Sequence, residues 1–82
     1  MLEAKINITL KKTIADPQGL TVKHALESLN YKEVQEVRMG KHVTVRLDSA
    51  DVEKAKKSID AMCRQLLSNP IIEDYSFEIK EL

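Results

Sequence analysis

The chain has 82 residues, of which 43% are hydrophobic and 32% are charged. This length predicts a single domain, residues 1–82, with a small hydrophobic core. The 13 basic and 13 acidic residues cancel to a formal net charge of zero, which excludes a general attraction for nucleic acid or an anionic membrane surface, because such attraction needs a basic excess.

The first predicted element is a strand over the first ten residues, where apolar and polar side chains alternate strictly. A helix follows, with Thr21 as its N-cap and with Asn30 in a left-handed conformation at its end. Its apolar stripe has helical spacing and comprises Val22, Ala25, Leu26 and Leu29. We therefore expect one side of this helix to be buried.

Residues 34–40 and 42–48 alternate again and predict two strands that form a hairpin through the turn at Gly40. A second helix is expected after an N-cap at Asp48 or Ser49. Its apolar stripe comprises Val52, Ala55, Ile59, Met62, Cys63, Leu66 and Leu67. A proline ends this helix, and a fourth alternating strand completes the chain.

The predicted order is β-α-β-β-α-β, which indicates an α+β fold of the ferredoxin-like kind. In this two-layer arrangement, two helices cover one face of a mainly antiparallel, four-stranded sheet. The order leaves open whether the last strand pairs within its own chain or with a second copy, because the edge strands of so small a sheet invite pairing across a dimer.

The sequence offers little chemistry, and we predict no catalytic, cofactor-binding or metal-binding residues. His24 and His42 have no cysteine or carboxylate near them in a ligand pattern. Cys63 lies in the apolar stripe of the second helix, where cysteine behaves as a small hydrophobic residue. A single cysteine provides no disulfide framework and fits a reducing, cytoplasmic setting. Nothing approaches the roughly 18 apolar residues of a membrane span.

Two turns are the best candidates for contacts with a partner. In the loop ADPQG, Asp16 can form an Asx-turn, Pro17 fixes φ, and Gly19 can adopt a positive φ. A stiff loop offers a preordered surface, but the residues alone favour the simpler interpretation, a well-formed crossover into a helix. Beside the second turn, Arg38 and Lys41 can grip a phosphate or a partner's carboxylate, or can be plain surface charges.

Three other classes of function fit the element order less well or remain open. An RNA-recognition motif needs aromatic side chains on the open sheet face, and none is predicted there. An acylphosphatase-type enzyme needs an arginine in the loop after the first strand, and KKTIADPQG has none. A free-standing regulatory module that binds a small ligand between subunits remains the alternative.

Four segments in order resemble the PurS family: DPQG, the helix VKHAL, YKEVQEVRMGK and CRQLLSNPIIEDY. The resemblance covers nearly the whole chain. It implies the non-catalytic small subunit of phosphoribosylformylglycinamidine (FGAM) synthase, an enzyme of purine biosynthesis. It also implies two partners, a large PurL-like synthetase subunit that binds ATP and Mg²⁺ and a PurQ-like glutaminase subunit, together with a homodimer or higher oligomer and no nucleic acid or membrane partner.

The resemblance further implies contact candidates in three clusters, which join the two larger subunits and help to shield ammonia transfer. The first cluster is the loop Asp16, Pro17, Gln18 and Gly19. The second is the turn Arg38, Gly40 and Lys41. The third lies at the start of the last strand and comprises Asn69, Pro70, Ile72, Glu73, Asp74 and Tyr75.

Overall fold

A computed structural model describes all residues, 1–82. In chain order its elements are β1 (Leu2–Leu10), α1 (Pro17–Ser28), β2 (Gly40–Leu47), α2 (Val52–Met62), a π-helical turn (Cys63–Leu67) and β3 (Glu73–Glu81). The strands form one antiparallel sheet in the order β2-β1-β3. The predicted α+β class is confirmed, whereas the prediction of four strands is wrong for this chain.

The core lies between the central strand and α2. The alternation of β1 puts its even-numbered side chains on the covered face, where Ile6 and Ile8 are at most 1% exposed. In the register of the sheet, Ile6 lies opposite Val43 on β2 and Phe77 on β3. From α2 and the following turn, Ala55, Ile59 and Cys63 complete this core. The odd-numbered polar side chains of β1 lie on the uncovered face.

The predicted hairpin does not form, because residues 34–39 are not a strand. The backbone N–H of Met39 donates to the carboxylate of Asp16 and so makes no bond to a strand. Arg38 also turns back, since its guanidinium bonds to backbone carbonyls in the loop after β1. Strand β2 therefore begins only at Gly40, and the sheet loses the fourth strand.

Both helices begin at caps other than those predicted. The N-cap of α1 is Asp16, so that the helix begins before Thr21, whose hydroxyl donates to the carbonyl of Pro17 within the first turn. The N-cap of α2 is Asp51, not Asp48 or Ser49. The left-handed conformation predicted for Asn30 is confirmed by its φ of 77°.

Helix α1 does not cover the sheet, so the prediction of two helices on one sheet face is wrong. The Cα radius of gyration is 16.3 Å, against about 12 Å for a compact chain of this length. The longest extent is 49 Å, close to the sum of about 30 Å for a strand of nine residues and about 18 Å for a helix of twelve. We call residues 17–38 the arm, because they project beyond the end of the sheet.

No helix in the structure is both long and apolar enough to cross a membrane.

Candidate functional site

The three predicted contact clusters come together at one end of the sheet, where β1 ends and the other strands begin. Thr9 pairs with Gly40 on one side and with Asp74 on the other. The loop before α1 joins this end through the bond from Met39 N–H to Asp16. We call this region the junction. It comprises residues 10–19, 37–41 and 69–75.

Asp16 is the centre of the junction and is only 8% exposed. Its Oδ1 accepts from the backbone N–H of Gly19 at 2.9 Å, and its Oδ2 accepts from that of Met39 at 2.6 Å. Hydrogen bonds from Gly19 and then from Met39, together with attraction to Arg38, lower the pKa of the Asp16 carboxyl. One carboxylate therefore caps α1 and ties the end of the arm to the sheet.

Gly19 is needed for space and not for an unusual backbone conformation. The prediction of a positive φ is wrong, because no glycine of the chain has one. A Cβ atom at this position would lie 2.1 Å from the carbonyl oxygen of Val37 and 2.9 Å from Oδ2 of Asp16. Only glycine lets the part of the arm that leads back to β2, at Val37, pass this close to α1.

Arg38 and Lys11 fasten the loop that leaves β1. The Nη2 of Arg38 donates to the carbonyls of Lys11 and Ile14, at 3.0 and 2.9 Å. Lys11 in turn donates from its backbone N–H to the carbonyl of Ile72 and from Nζ to Asp74, both at 2.8 Å. The side chain of Arg38 is thus engaged with the backbone of its own chain, so its predicted grip on a phosphate or a partner's carboxylate stays a prediction.

The third cluster is held by carboxylates at the start of β3. Glu73 accepts from the backbone N–H of Asn69 at 2.7 Å and lies 3.6 Å from Nζ of Lys41. Asn69 Oδ1 accepts from Ile71 N–H at 3.1 Å, which forms the turn around Pro70. These contacts fix the path of the chain between α2 and β3.

Tyr75 connects β3 to α2 through residues that the sequence analysis did not single out. Its hydroxyl donates to Oδ1 of Asp60 at 2.6 Å, and the other oxygen of Asp60 lies 2.9 Å from Arg64. The bond to Asp60 raises the pKa of the Tyr75 hydroxyl, because it stabilises the protonated form. The available signal was the four-residue spacing of Asp60, on α2, and Arg64, in the π-helical turn that continues it.

The surface of the junction carries several exposed candidate residues and adjoins a groove in the arm. It holds no nucleophile beside a base, and no group of three or more histidine, cysteine or carboxylate side chains is placed to hold a metal ion. A groove of about 380 Å³ separates α1 from the returning half of the arm, and it is lined by Pro17, Leu20, Lys23, Gln35 and Val37 among others. The exposed members of the three clusters are Pro17, Gln18, Arg38, Gly40, Lys41, Asn69, Pro70 and Asp74.

Residues 3–81 match the family model described as PurS: Phosphoribosylformylglycinamidine (FGAM) synthase. The chain is 40% identical to the PurS subunit of Bacillus subtilis phosphoribosylformylglycinamidine synthase, over all of this chain and 96% of the relative. It superposes on the crystal structure of Methanocaldococcus jannaschii PurS with a TM-score of 0.89 and 34% identity, covering 100% of this chain and 99% of the other.

A third similarity is to a chain in the structure of PurLQS from Thermotoga maritima. The TM-score is 0.83 at 28% identity, and the match covers 99% of this chain and 96% of that one. Family model, sequence relatives and solved structures agree over nearly the full length of the chain. The chain therefore belongs to the PurS family.

Proposed function

We propose that this chain is the non-catalytic small subunit of FGAM synthase in purine biosynthesis, where it bridges a PurL-like synthetase subunit and a PurQ-like glutaminase subunit. The observation that carries the proposal is the full-length match to a chain of PurLQS, a structure whose name combines three subunits. In this proposal, ATP and Mg²⁺ belong to the large subunit, and the complex lies in the cytoplasm.

We assign the candidate residues of the junction to two roles, according to their burial and hydrogen bonds. Asp16 and Gly19 are buried, and Arg38 is bonded to the chain's own backbone, so we assign these residues to holding the junction in shape. The exposed members other than Arg38 are the ones that we assign to contacts with the larger subunits and to shielding of ammonia transfer. Those exposed members are Pro17, Gln18, Gly40, Lys41, Asn69, Pro70 and Asp74.

The predicted pairing of the last strand with a second copy is part of the same proposal. Because the sheet order is β2-β1-β3, the outer edge of β3 has no partner within the chain. Its nine residues are long enough to add a strand from another copy. Slow amide exchange at the outward-facing positions of β3 in the oligomer, and fast exchange there in the monomer, is the expected result.

The test of the bridging function mixes this protein with PurL-like and PurQ-like subunits and measures glutamine-dependent amidine formation and co-elution. Lys41→Glu is the variant at the junction, and Lys57→Glu, an exposed position on α2, makes the same charge change elsewhere. We expect the first variant to weaken co-elution and activity together, and the second to change neither.

Unchanged activity in the absence of this chain, with no co-elution, would overturn the bridging function. Tight binding of a small metabolite to the isolated protein in calorimetry would instead favour a regulatory module.

A further inference from the structure

Strand β2 has one edge that no other strand occupies. In the sheet order β2-β1-β3 it pairs only with β1. Alternate backbone N–H and C=O groups along its eight residues therefore face outward without a partner strand. An edge of this kind is a template on which a further strand can form, and the nearest segment of the chain is the one that leads into it.

The segment that leads into β2 is itself an unpaired strand-like segment. Residues 34–39 alternate between apolar and polar side chains, which is typical of a strand. The backbone groups of residues 32–38 nevertheless make no hydrogen bond within the chain. The segment joins β2 at Gly40, one of only two glycines, and glycine suits a tight turn. An unpaired segment is thus connected directly to an unpaired strand edge.

One register of pairing between the segment and β2 matches side chains on both faces of the sheet. It needs a hairpin loop of three residues, 40–42, which is a common length. The cross-strand pairs are then Met39 with Val43, Val37 with Val45, and Glu36 with Arg46. The two apolar pairs lie on the covered face, where Val43 and Val45 pack against the core. The third pair joins opposite charges on the open face, and a shift of one residue would exchange the two faces.

Two sets of hydrogen bonds hold the segment away from the free edge of β2. Oδ2 of Asp16 accepts from the backbone N–H of Met39 at 2.6 Å. The guanidinium of Arg38 donates to the carbonyls of Lys11 and Ile14, at 3.0 and 2.9 Å. Both sets act on the two residues directly before β2 begins, so they direct the segment away from the sheet. Asp16 and Arg38 therefore oppose the pairing that the sequence of the segment favours.

We propose that the chain has a second, closed arrangement in which residues 35–39 form a hairpin with β2, and that Asp16 and Arg38 are the latch that keeps the chain in the open arrangement of the structure. Closing breaks the bond from Met39 to Asp16 and the bonds of Arg38. The arm then no longer meets the sheet at the junction, and the three candidate clusters separate. The inference concerns the chain alone and does not depend on the bridging function.

The test removes both parts of the latch and measures whether the hairpin forms. Asp16→Ser keeps an oxygen that can cap α1 but removes the second oxygen, which Met39 uses. Arg38→Thr removes the guanidinium and keeps a residue suited to a strand. In the double variant we expect nuclear Overhauser effects between Val37 and Val45. We also expect amide exchange at alternate positions of residues 35–39 to slow by about tenfold or more.

Asp51→Ser is the matched control, because Asp51 also caps a helix but its carboxylate makes no second hydrogen bond. In this control, residues 35–39 should exchange as fast as in the unaltered chain. Slow exchange in β1 shows for each variant that the sheet is folded. A double variant with a folded sheet and fast exchange throughout residues 35–39 overturns the proposal.

A disulfide trap in the chain with an intact latch covers the case in which the double variant fails to fold. Val45 lies five residues from the start of β2, about 16 Å along the strand, whereas a disulfide needs Cα atoms within about 7 Å. Val37→Cys with Val45→Cys should therefore form an intrachain disulfide only through the closed arrangement. The control pair, Val34→Cys with Val45→Cys, is out of register and should react about tenfold more slowly. Equal rates for the two pairs, or no intrachain disulfide, overturn the proposal, and either result leaves the bridging function to its own test.

Discussion

The sheet with α2 and the arm with α1 both have periodic apolar patterns, but the chain buries the apolar side chains of the first region and leaves much of the second exposed. In the sheet, alternation places Ile6 against Ile59, and both side chains are fully buried. In the arm, a stripe of equally regular spacing leaves Leu29 68% exposed. A periodic pattern therefore specifies which side of an element is apolar, but it does not specify whether the chain itself buries that side.

The largest expected difference between the two regions is in the response to truncation. Ile59→Ala is expected to lower the free energy of unfolding by about 2–5 kcal/mol, because it opens a cavity beneath β1. Leu29→Ala is expected to change it by no more than about 0.5 kcal/mol, because this side chain is 68% exposed. Urea denaturation of both variants measures the difference, and similar losses for the two would contradict the division into sheet and arm.

A smaller effect is expected where the arm meets the sheet. Gly19→Val places methyl groups against the carbonyl of Val37 and is expected to cost about 1–3 kcal/mol. The loss should be local, so that amide exchange at Met39 becomes fast while the sheet keeps its protection. Gln18→Val, at the exposed neighbouring position, is the control. If the sheet also loses its protection, the arm and the sheet unfold as one unit, which would contradict the division into two regions.

The sequence was sufficient where local preference and tertiary contacts agree. The alternation in β1 and β3 survives in the structure because both strands bury one face under α2. Residues 34–39 alternate as well as any strand, yet Asp16, more than twenty positions earlier, accepts the N–H of Met39. The periodicity of a short segment cannot indicate a hydrogen bond to a residue so far away in the sequence.

The N-cap of α1 was also predicted at the wrong residue, although the two candidates lie only five positions apart. Thr21 and Asp16 are both suitable N-caps. Pro17 decides between them, because proline favours the first position of a helix and its fixed φ suits a helix that starts there. For the candidate site, the residues alone identified two isolated turns. The three clusters meet at the junction because of the register in which β2 and β3 pair with β1. The predicted hairpin implied a different pairing, so the sequence did not predict this meeting.

The smallest effects are expected from two titrating groups, one where the arm begins and one in the sheet. The pKa of Asp16 is lowered from 3.8, chiefly by the N–H of Gly19 and then by that of Met39. Since the folded value is the lower one, its stabilising contribution is present above the ordinary pKa and is lost as the pH falls through the folded value. Acid should therefore loosen the arm first, with faster amide exchange at Met39 than at β1, and Asp16→Asn should remove the pH dependence of that difference.

A rise in pH should weaken the contact between β3 and α2 at Tyr75. The pKa of Tyr75 is raised from 10.0, chiefly by its bond to Asp60, so this contribution is present below the ordinary pKa and is lost as the pH rises through the folded value. Absorbance titration should show one tyrosine transition at a pH above the ordinary range of a tyrosine hydroxyl, and Tyr75→Phe should remove that transition. Base should then release β3 from α2 while leaving the bonds of Asp16 in place. Loss of both regions at the same pH would show that the junction couples the arm to the sheet and that the two do not respond independently.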